Sequence, residues 1–151
     1  IIYVEEIQDY LYPIQNDYQK RMRANSEKVR NHIGSIPIEK TKFMISLVPE
    51  GKNYKALPEE YQGIYKYHEA LTRYHSKKPS NTINTGHRSH FHYKWNRIPT
   101  VRESARLQSF PDDFIFYGNK SEQYRQVGNA VPPILGQVVA DALLPYLKDG
   151  E

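Results

Sequence analysis

The sequence predicts an α+β chain, with a mixed helix-and-strand region over residues 1–96 and a helical segment over residues 97–151. Three observations lead there. FMISLVPEG at Phe43–Gly51 is a compact apolar run closed by a Pro/Gly turn, as a buried strand would be. Thr100-Val101-Arg102-Glu103 has the pattern of a capping box. After Pro132-Pro133 the apolar residues recur with helical period.

Taken in order, residues 1–12 (IIYVEEIQDYLY) place Ile2, Val4, Ile7 and Leu11 near helical spacing before Pro13, which predicts a short helix or an extended arm. Residues 14–34 are charged and lack a continuous apolar face, so they read as a surface helix or ordered loop ending near Gly34. The strand over Phe43–Gly51 follows. NYKALPEEYQGIYKY at Asn53–Tyr67 is tyrosine-rich and broken by Pro58 and Gly63, giving loop and short helix. Residues 79–96 are rich in Ser, Thr, Asn, His and aromatics, and are expected to form a recognition-type loop with a strand around Asn81–Thr85. In the capping box, the Thr100 hydroxyl accepts from the Glu103 N–H and the Glu103 carboxylate reaches back, so a two-turn helix should start at Val101 and stop at Phe110-Pro111. Pro133 can open the last helix because its missing N–H lies where no partner is needed. Ile134, Leu135, Val138, Val139, Ala142, Leu143 and Leu147 give that helix one broad apolar stripe, which calls for a large partner surface.

Composition narrows the function. With 151 residues the chain is one ordinary domain or two small ones. With no cysteine it supplies no disulfide, no cysteine-ligated metal site and no thiolate nucleophile. No run of about 18 apolar residues is evident and the mean hydropathy is −0.77, so a soluble, intracellular protein is expected.

Net charge is +4, but residues 1–59 carry +1, residues 60–110 carry +6 and residues 111–151 carry −3. The basic centre also holds five of the six histidines. It suits a polyanion, and it suits equally a solvated face balanced elsewhere in the fold.

RIPTVRESARLQSFPDDF at Arg97–Phe114, followed closely by QYRQVGNAVPP at Gln123–Pro133, resembles the ninth and tenth conserved motifs of DNA cytosine-5 methyltransferases, in the family's order and spacing. Upstream, Pro49–Tyr61 and Pro79–His87 resemble more loosely the variable target-recognition sequence that precedes the ninth motif in bacterial members. The family's Gly-rich cofactor loop, Pro-Cys-Gln nucleophile motif, Glu-Asn-Val motif and paired-arginine motif have no counterpart here. Its chemistry needs a cysteine thiolate to add to carbon 6 of a flipped cytosine, so that carbon 5 can take a methyl group from S-adenosylmethionine. Without cysteine, this chain alone should be inactive.

The resemblance implies the C-terminal part of such an enzyme, a fragment or the small subunit of a split methyltransferase, starting just after the eighth motif. Residues 1–96 would be the target-recognition region. Residues 97–151 would dock on a Rossmann-like catalytic domain carried elsewhere. Gly128, Asn129, Ala130 and Val131 would form one wall of the S-adenosylmethionine pocket, a glycine allowing close backbone approach and helix N-terminal N–H groups holding the amino-acid end. The plainer reading of the same residues is a turn and helix start.

For duplex DNA, the candidates are Arg73, Lys77, Lys78, Ser80, Thr82, Thr85, Arg88, Lys94 and Arg97: cations for phosphates, hydroxyls and Arg for base edges. The ninth motif is implied to be chiefly structural, with Glu103 a cap rather than a catalytic acid. His87, His90 and His92 invite a metal, but lack a cysteine or nearby carboxylate and fit a packing or DNA-facing loop better. The implied setting is a bacterial restriction–modification system, cytoplasmic and nucleoid-associated. The alternative is a non-enzymatic DNA-binding module or a degenerate methyltransferase remnant.

Overall fold

The computed structural model describes residues 7–65, 69–86 and 89–148. Expectations for residues 1–6, His87 and Arg88 lie outside these.

Strand β1 (Gln8–Asp9) pairs antiparallel with β2 (Lys28–Val29), so the described part of the segment before Pro13 is extended at Gln8–Asp9, one of the two forms the sequence allowed. Between them runs α1 (Asp17–Arg23), started by the Asn16 side chain accepting from the Gln19 N–H.

The apolar run at Phe43 is not a strand. It ends α2 (Glu39–Ser46) and continues into the following turn. Met44, Ile45 and Val48 are buried at i, i+1 and i+4, a helical spacing that a short apolar run conceals. They pack with Leu57, Leu71 and Phe91 into a first core, over which Tyr54, Tyr61 and Tyr65 close. Those tyrosines come from a 3₁₀ turn (Tyr54–Ala56), α3 (Glu59–Gln62) and the residues after it, the loop and short helix expected there.

Strand β3 (Thr72–Arg73) pairs parallel with β4 (His90–Phe91), and residues 81–85 form no strand. Ile83 instead packs against a second core. That core consists of Val101, Ala105, Phe110, Phe116, Tyr124 and Val127, and Ile98 borders both cores. It is built on α4 (Val101–Leu107), which begins where the Thr100–Glu103 capping box places it.

A second capping box, Asn119 with Glu122, starts α5 (Lys120–Asn129). The chain turns extended at Ala130, and α6 (Pro133–Lys148) follows, opened at Pro133 as expected. Lys120–Leu147 taken together is long and apolar enough by length and composition to cross a membrane. The break at Ala130 divides it, and the 16 residues of α6 rise only about 24 Å, short of a bilayer core of about 30 Å.

The second core is locked by Arg102. Its side chain is 0% exposed and donates to the carbonyls of Arg30 (3.0 Å), Pro111 (2.9 Å) and Phe114 (2.5 Å), and to Asn31 Oδ1 (3.5 Å). Asn31, in the left-handed region at φ 58°, brackets Phe116 by accepting from its N–H (3.1 Å) and donating to its carbonyl (2.8 Å). Buried Asp112 accepts two bonds from Arg106 and one from the Tyr10 hydroxyl. Burial alone would raise the Asp112 pKa, but Arg106 and Tyr10 outweigh it and hold the carboxyl below its usual value.

Arg102→Ala should therefore cost about 3–5 kcal/mol, because it strands several buried carbonyls. Arg102→Lys should not restore it, since an ammonium cannot span the same acceptors. Urea unfolding measures both, and a loss under about 1 kcal/mol for the alanine variant would refute the lock.

Candidate nucleic-acid interface and cofactor wall

Sequence reasoning grouped the cations of the basic centre, and the structure divides them. Arg73 is only 6% exposed. Its guanidinium donates to the Ile45 carbonyl (2.6 Å), Asn96 Oδ1 (2.6 Å), and the His92 and Tyr93 carbonyls (3.4 and 3.3 Å). A side chain so buried, with both terminal nitrogens bonded inside the chain, is not placed to neutralise a phosphate, and its DNA-facing assignment is corrected to a structural one.

Arg97 is engaged within the chain as well, though its side chain keeps about a quarter of its surface exposed. It forms a two-pronged bond to the Glu103 carboxylate (2.7 and 2.6 Å) and a third bond to the Ile98 carbonyl. Its charge is matched within the chain, and that bond raises its pKa. Burial works against the Glu103 carboxylate, but the bonds from Arg97 and the Thr100 N–H prevail and keep its pKa low. Glu103 is thus a cap and a tether.

Lys77, Lys78, Thr82, Thr85 and Lys94 are exposed, and Ser80 is half-buried. The turn bearing the two adjacent lysines is shaped from beneath. The Lys77 N–H donates to His75 Nδ1 (3.0 Å), the Ser76 N–H donates to Glu50, and the Gly51 N–H reaches the carbonyls of Arg73 and Tyr74. Lys78 and Ser80 line a cleft of about 780 Å³ together with Tyr18, Tyr74, His92 and Tyr93.

The remaining described histidines are packing groups. His90 is buried and stacked on Tyr74 at 5.4 Å, and His92 stacks on Tyr93 at 4.5 Å. His32 Nδ1 lies 2.9 Å from the Thr100 hydroxyl. Desolvation lowers the pKa of all three. Among the described residues no three His, Asp or Glu side chains gather as metal ligands would.

Gly128 and Asn129 are the last residues of α5 rather than part of a free turn. Gly128 does permit close approach, but by the chain itself: a Cβ there would stand 2.6 Å from the Asn84 carbonyl carbon and from the Thr85 nitrogen. This contact seats the 81–86 loop against the second core, and no spacing in the sequence signalled it. Asn129 and Val131 face solvent, while Ala130 is half-buried against the core.

Comparison with known proteins places these features. A family model described as C-5 cytosine-specific DNA methylase matches residues 3–144. Type II methyltransferase M1.HphI of Haemophilus parahaemolyticus is 49% identical over 100 residues, covering 66% of this chain and 27% of that protein. Type II methyltransferase M.DdeI of Desulfomicrobium norvegicum is 32% identical over 163 residues, covering 95% of this chain and 39% of that protein. In fold, the chain is similar to a prophage-encoded protein of E. coli described as a DNA modification methyltransferase, with a TM-score of 0.73 and 19% identity over 97% of this chain and 42% of the other. The chain spans about a quarter to two-fifths of the length of these relatives.

Gly128→Ala should lower stability by about 1–3 kcal/mol, since the new methyl meets backbone that cannot rotate away. A thermal melt unchanged from the parent would contradict the seating of the 81–86 loop. A pH dependence should also appear. His32, His90 and His92 protonate less readily when folded than unfolded, so the unfolded chain takes up protons first as pH falls below about 6.5. Stability should be full above about pH 7 and decline between about pH 6.5 and 5, before the carboxylates titrate. A flat urea midpoint across that window would contradict the buried neutral histidines.

Proposed function

This chain belongs to the C-5 cytosine-specific DNA methylase family, and on that footing we propose that it is the target-recognition and cofactor-closing part of a DNA cytosine-5 methyltransferase whose catalytic domain is supplied by another body. The observation that carries this reading is α6. Val138 is 59% exposed and Leu143 54%, and Leu135, Val139, Leu144 and Leu147 are exposed around them. A helix apolar on this scale, projecting beyond its own core, is made to be covered.

The division of labour is as follows. Residues 1–96 contact duplex DNA through Lys77, Lys78, Ser80, Thr82, Thr85 and Lys94, with Arg88 a further candidate outside the described residues. Residues 97–151 organise that region and dock through α6 on a Rossmann-like domain. Docking brings Asn129, Ala130 and Val131 against the S-adenosylmethionine site, which Gly128 shapes indirectly by seating the 81–86 loop. When bound there, S-adenosylmethionine supplies the methyl group.

Because the chain contains no cysteine, the thiolate that adds to carbon 6 of cytosine comes from the catalytic body, and this chain alone transfers nothing. A split or longer methyltransferase of a bacterial restriction–modification system is the setting that fits.

The test is reconstitution. Purified chain is mixed with a polypeptide carrying the family's Gly-rich, Pro-Cys-Gln and Glu-Asn-Val motifs, and methyl transfer to carbon 5 is followed on duplexes of varied sequence. Each component alone should be inactive and the mixture active. A stable complex that methylates no duplex, or methylation by this chain alone, would overturn the reading.

A further inference from the structure

Two exposed aromatic residues left without a role flank Lys94 on the turn between β4 and α4. We infer that Tyr93, Lys94 and Trp95 form a preorganised aromatic and cationic contact for DNA, in which Trp95 packs on a sugar or base face uncovered where the duplex is opened and Lys94 faces the adjoining phosphate. The inference rests on the reading that this chain binds DNA, and adds to it two aromatic residues that the charge pattern did not single out.

The turn is fixed from inside. His92 Nδ1 accepts from both the Lys94 and the Trp95 N–H, each at 3.1 Å. The Arg97 N–H donates to the Trp95 carbonyl (2.8 Å) and the His92 N–H to the Arg97 carbonyl (2.9 Å). From below, buried Arg73 reaches the His92 and Tyr93 carbonyls and holds Asn96 Oδ1. Backbone polar groups that solvent would otherwise have to satisfy are thereby used up, and the turn is ordered before any ligand arrives.

What this frame holds outward is distinctive. Trp95, the only tryptophan of the chain, is 54% exposed, and Tyr93 is 42% exposed. The Lys94 ammonium lies 5.0 Å from the Trp95 ring centroid. Tyr93 and His92 line the same cleft as Lys78 and Ser80, so the turn continues the candidate DNA surface. Exposed aromatic rings beside cations are the chemistry with which proteins hold unstacked nucleotides: rings pack on bases or sugars, and ammonium groups neutralise phosphate. A base-flipping reaction provides the unstacked step that such rings need. The exposed stripe of α6 has no comparable cation among its apolar residues from Leu135 to Leu147, so the two surfaces have different chemistry.

The single tryptophan makes the test direct. Full-length chain is titrated with labelled duplex DNA, following DNA anisotropy and Trp95 emission together, and Trp95→Ala, Trp95→Phe and Lys94→Gln are compared with the parent. Emission should be quenched and shielded from acrylamide along the binding isotherm. Trp95→Ala should weaken binding at least about fivefold, Trp95→Phe should lose less, and Lys94→Gln should reduce the salt slope by about one. DNA binding with unmoved Trp95 emission and a normal Trp95→Ala isotherm would overturn the inference and leave DNA recognition standing. Absence of any DNA binding would remove both. Quenching by the catalytic polypeptide without DNA would also overturn it, by making the turn a protein contact.

Discussion

A fully buried guanidinium, Arg102, sets the conditions under which the rest of the chain folds. Taking it out of water is costly unless its donors are used, and among the described residues no carboxylate makes a short ion pair with it: Asp112 stands 4.0 Å away. Carbonyls do most of the work, from Arg30, Pro111 and Phe114. Each lies in irregular backbone, so meeting the needs of Arg102 fixes two loops at once, the one after β2 and the one between α4 and α5. Asn31 and Asp112 complete the arrangement: Asn31 brackets Phe116, and Asp112 donates its backbone N–H to the Met22 carbonyl (2.7 Å) while its carboxylate accepts from Arg106 and Tyr10. Residues 8–32 and 100–116, far apart in sequence, are thereby held as one body.

The parts that were legible in the sequence are those governed by local rules. The Thr100–Glu103 box placed the start of α4 at the correct residue, and the stripe after Pro133 foretold both α6 and its surplus of apolar surface. Asn119 and Glu122 carry the same capping pattern, and α5 could have been found from it. Other features were decided by long-range contacts. A short apolar run at Phe43 is compatible with strand or helix, and only its packing against Leu57 and Phe91 selects the helix. Arg73 looks like a surface cation in composition, yet the carbonyls that claim it come from residues 45, 92 and 93. Gly128 suggested a close approach, but nothing local says that residues 84 and 85 make it.

These outcomes bear on function because they separate groups the fold consumes from groups it leaves over. Arg73, Arg97, Arg102 and Arg106 all have partners within the chain, so much of the positive charge counted in the centre is structural. Among the described residues, what remains is a smaller surface of Lys77, Lys78, Lys94 and neighbouring hydroxyls and aromatics. The apolar groups divide in the same way: the second core ends at Ala130, and α6 beyond it has almost nothing of this chain to cover it. One exposed surface is cationic and the other apolar, which is the difference the proposed contacts with DNA and with a catalytic domain call for.

Backbone hydrogen exchange, read residue by residue on the chain alone and again with the catalytic polypeptide, tests this division most directly. The amides of Arg102, Asp112 and Phe116, bonded to Asn31, Met22 and the Asn31 side chain, should exchange together and slowly in both states. Those of α6 should exchange quickly in the isolated chain and become protected on complex formation. Slow exchange of α6 in the isolated chain at the rate of the Arg102 body, unchanged by the partner, would contradict the claim that this helix is built for a surface the chain does not itself provide.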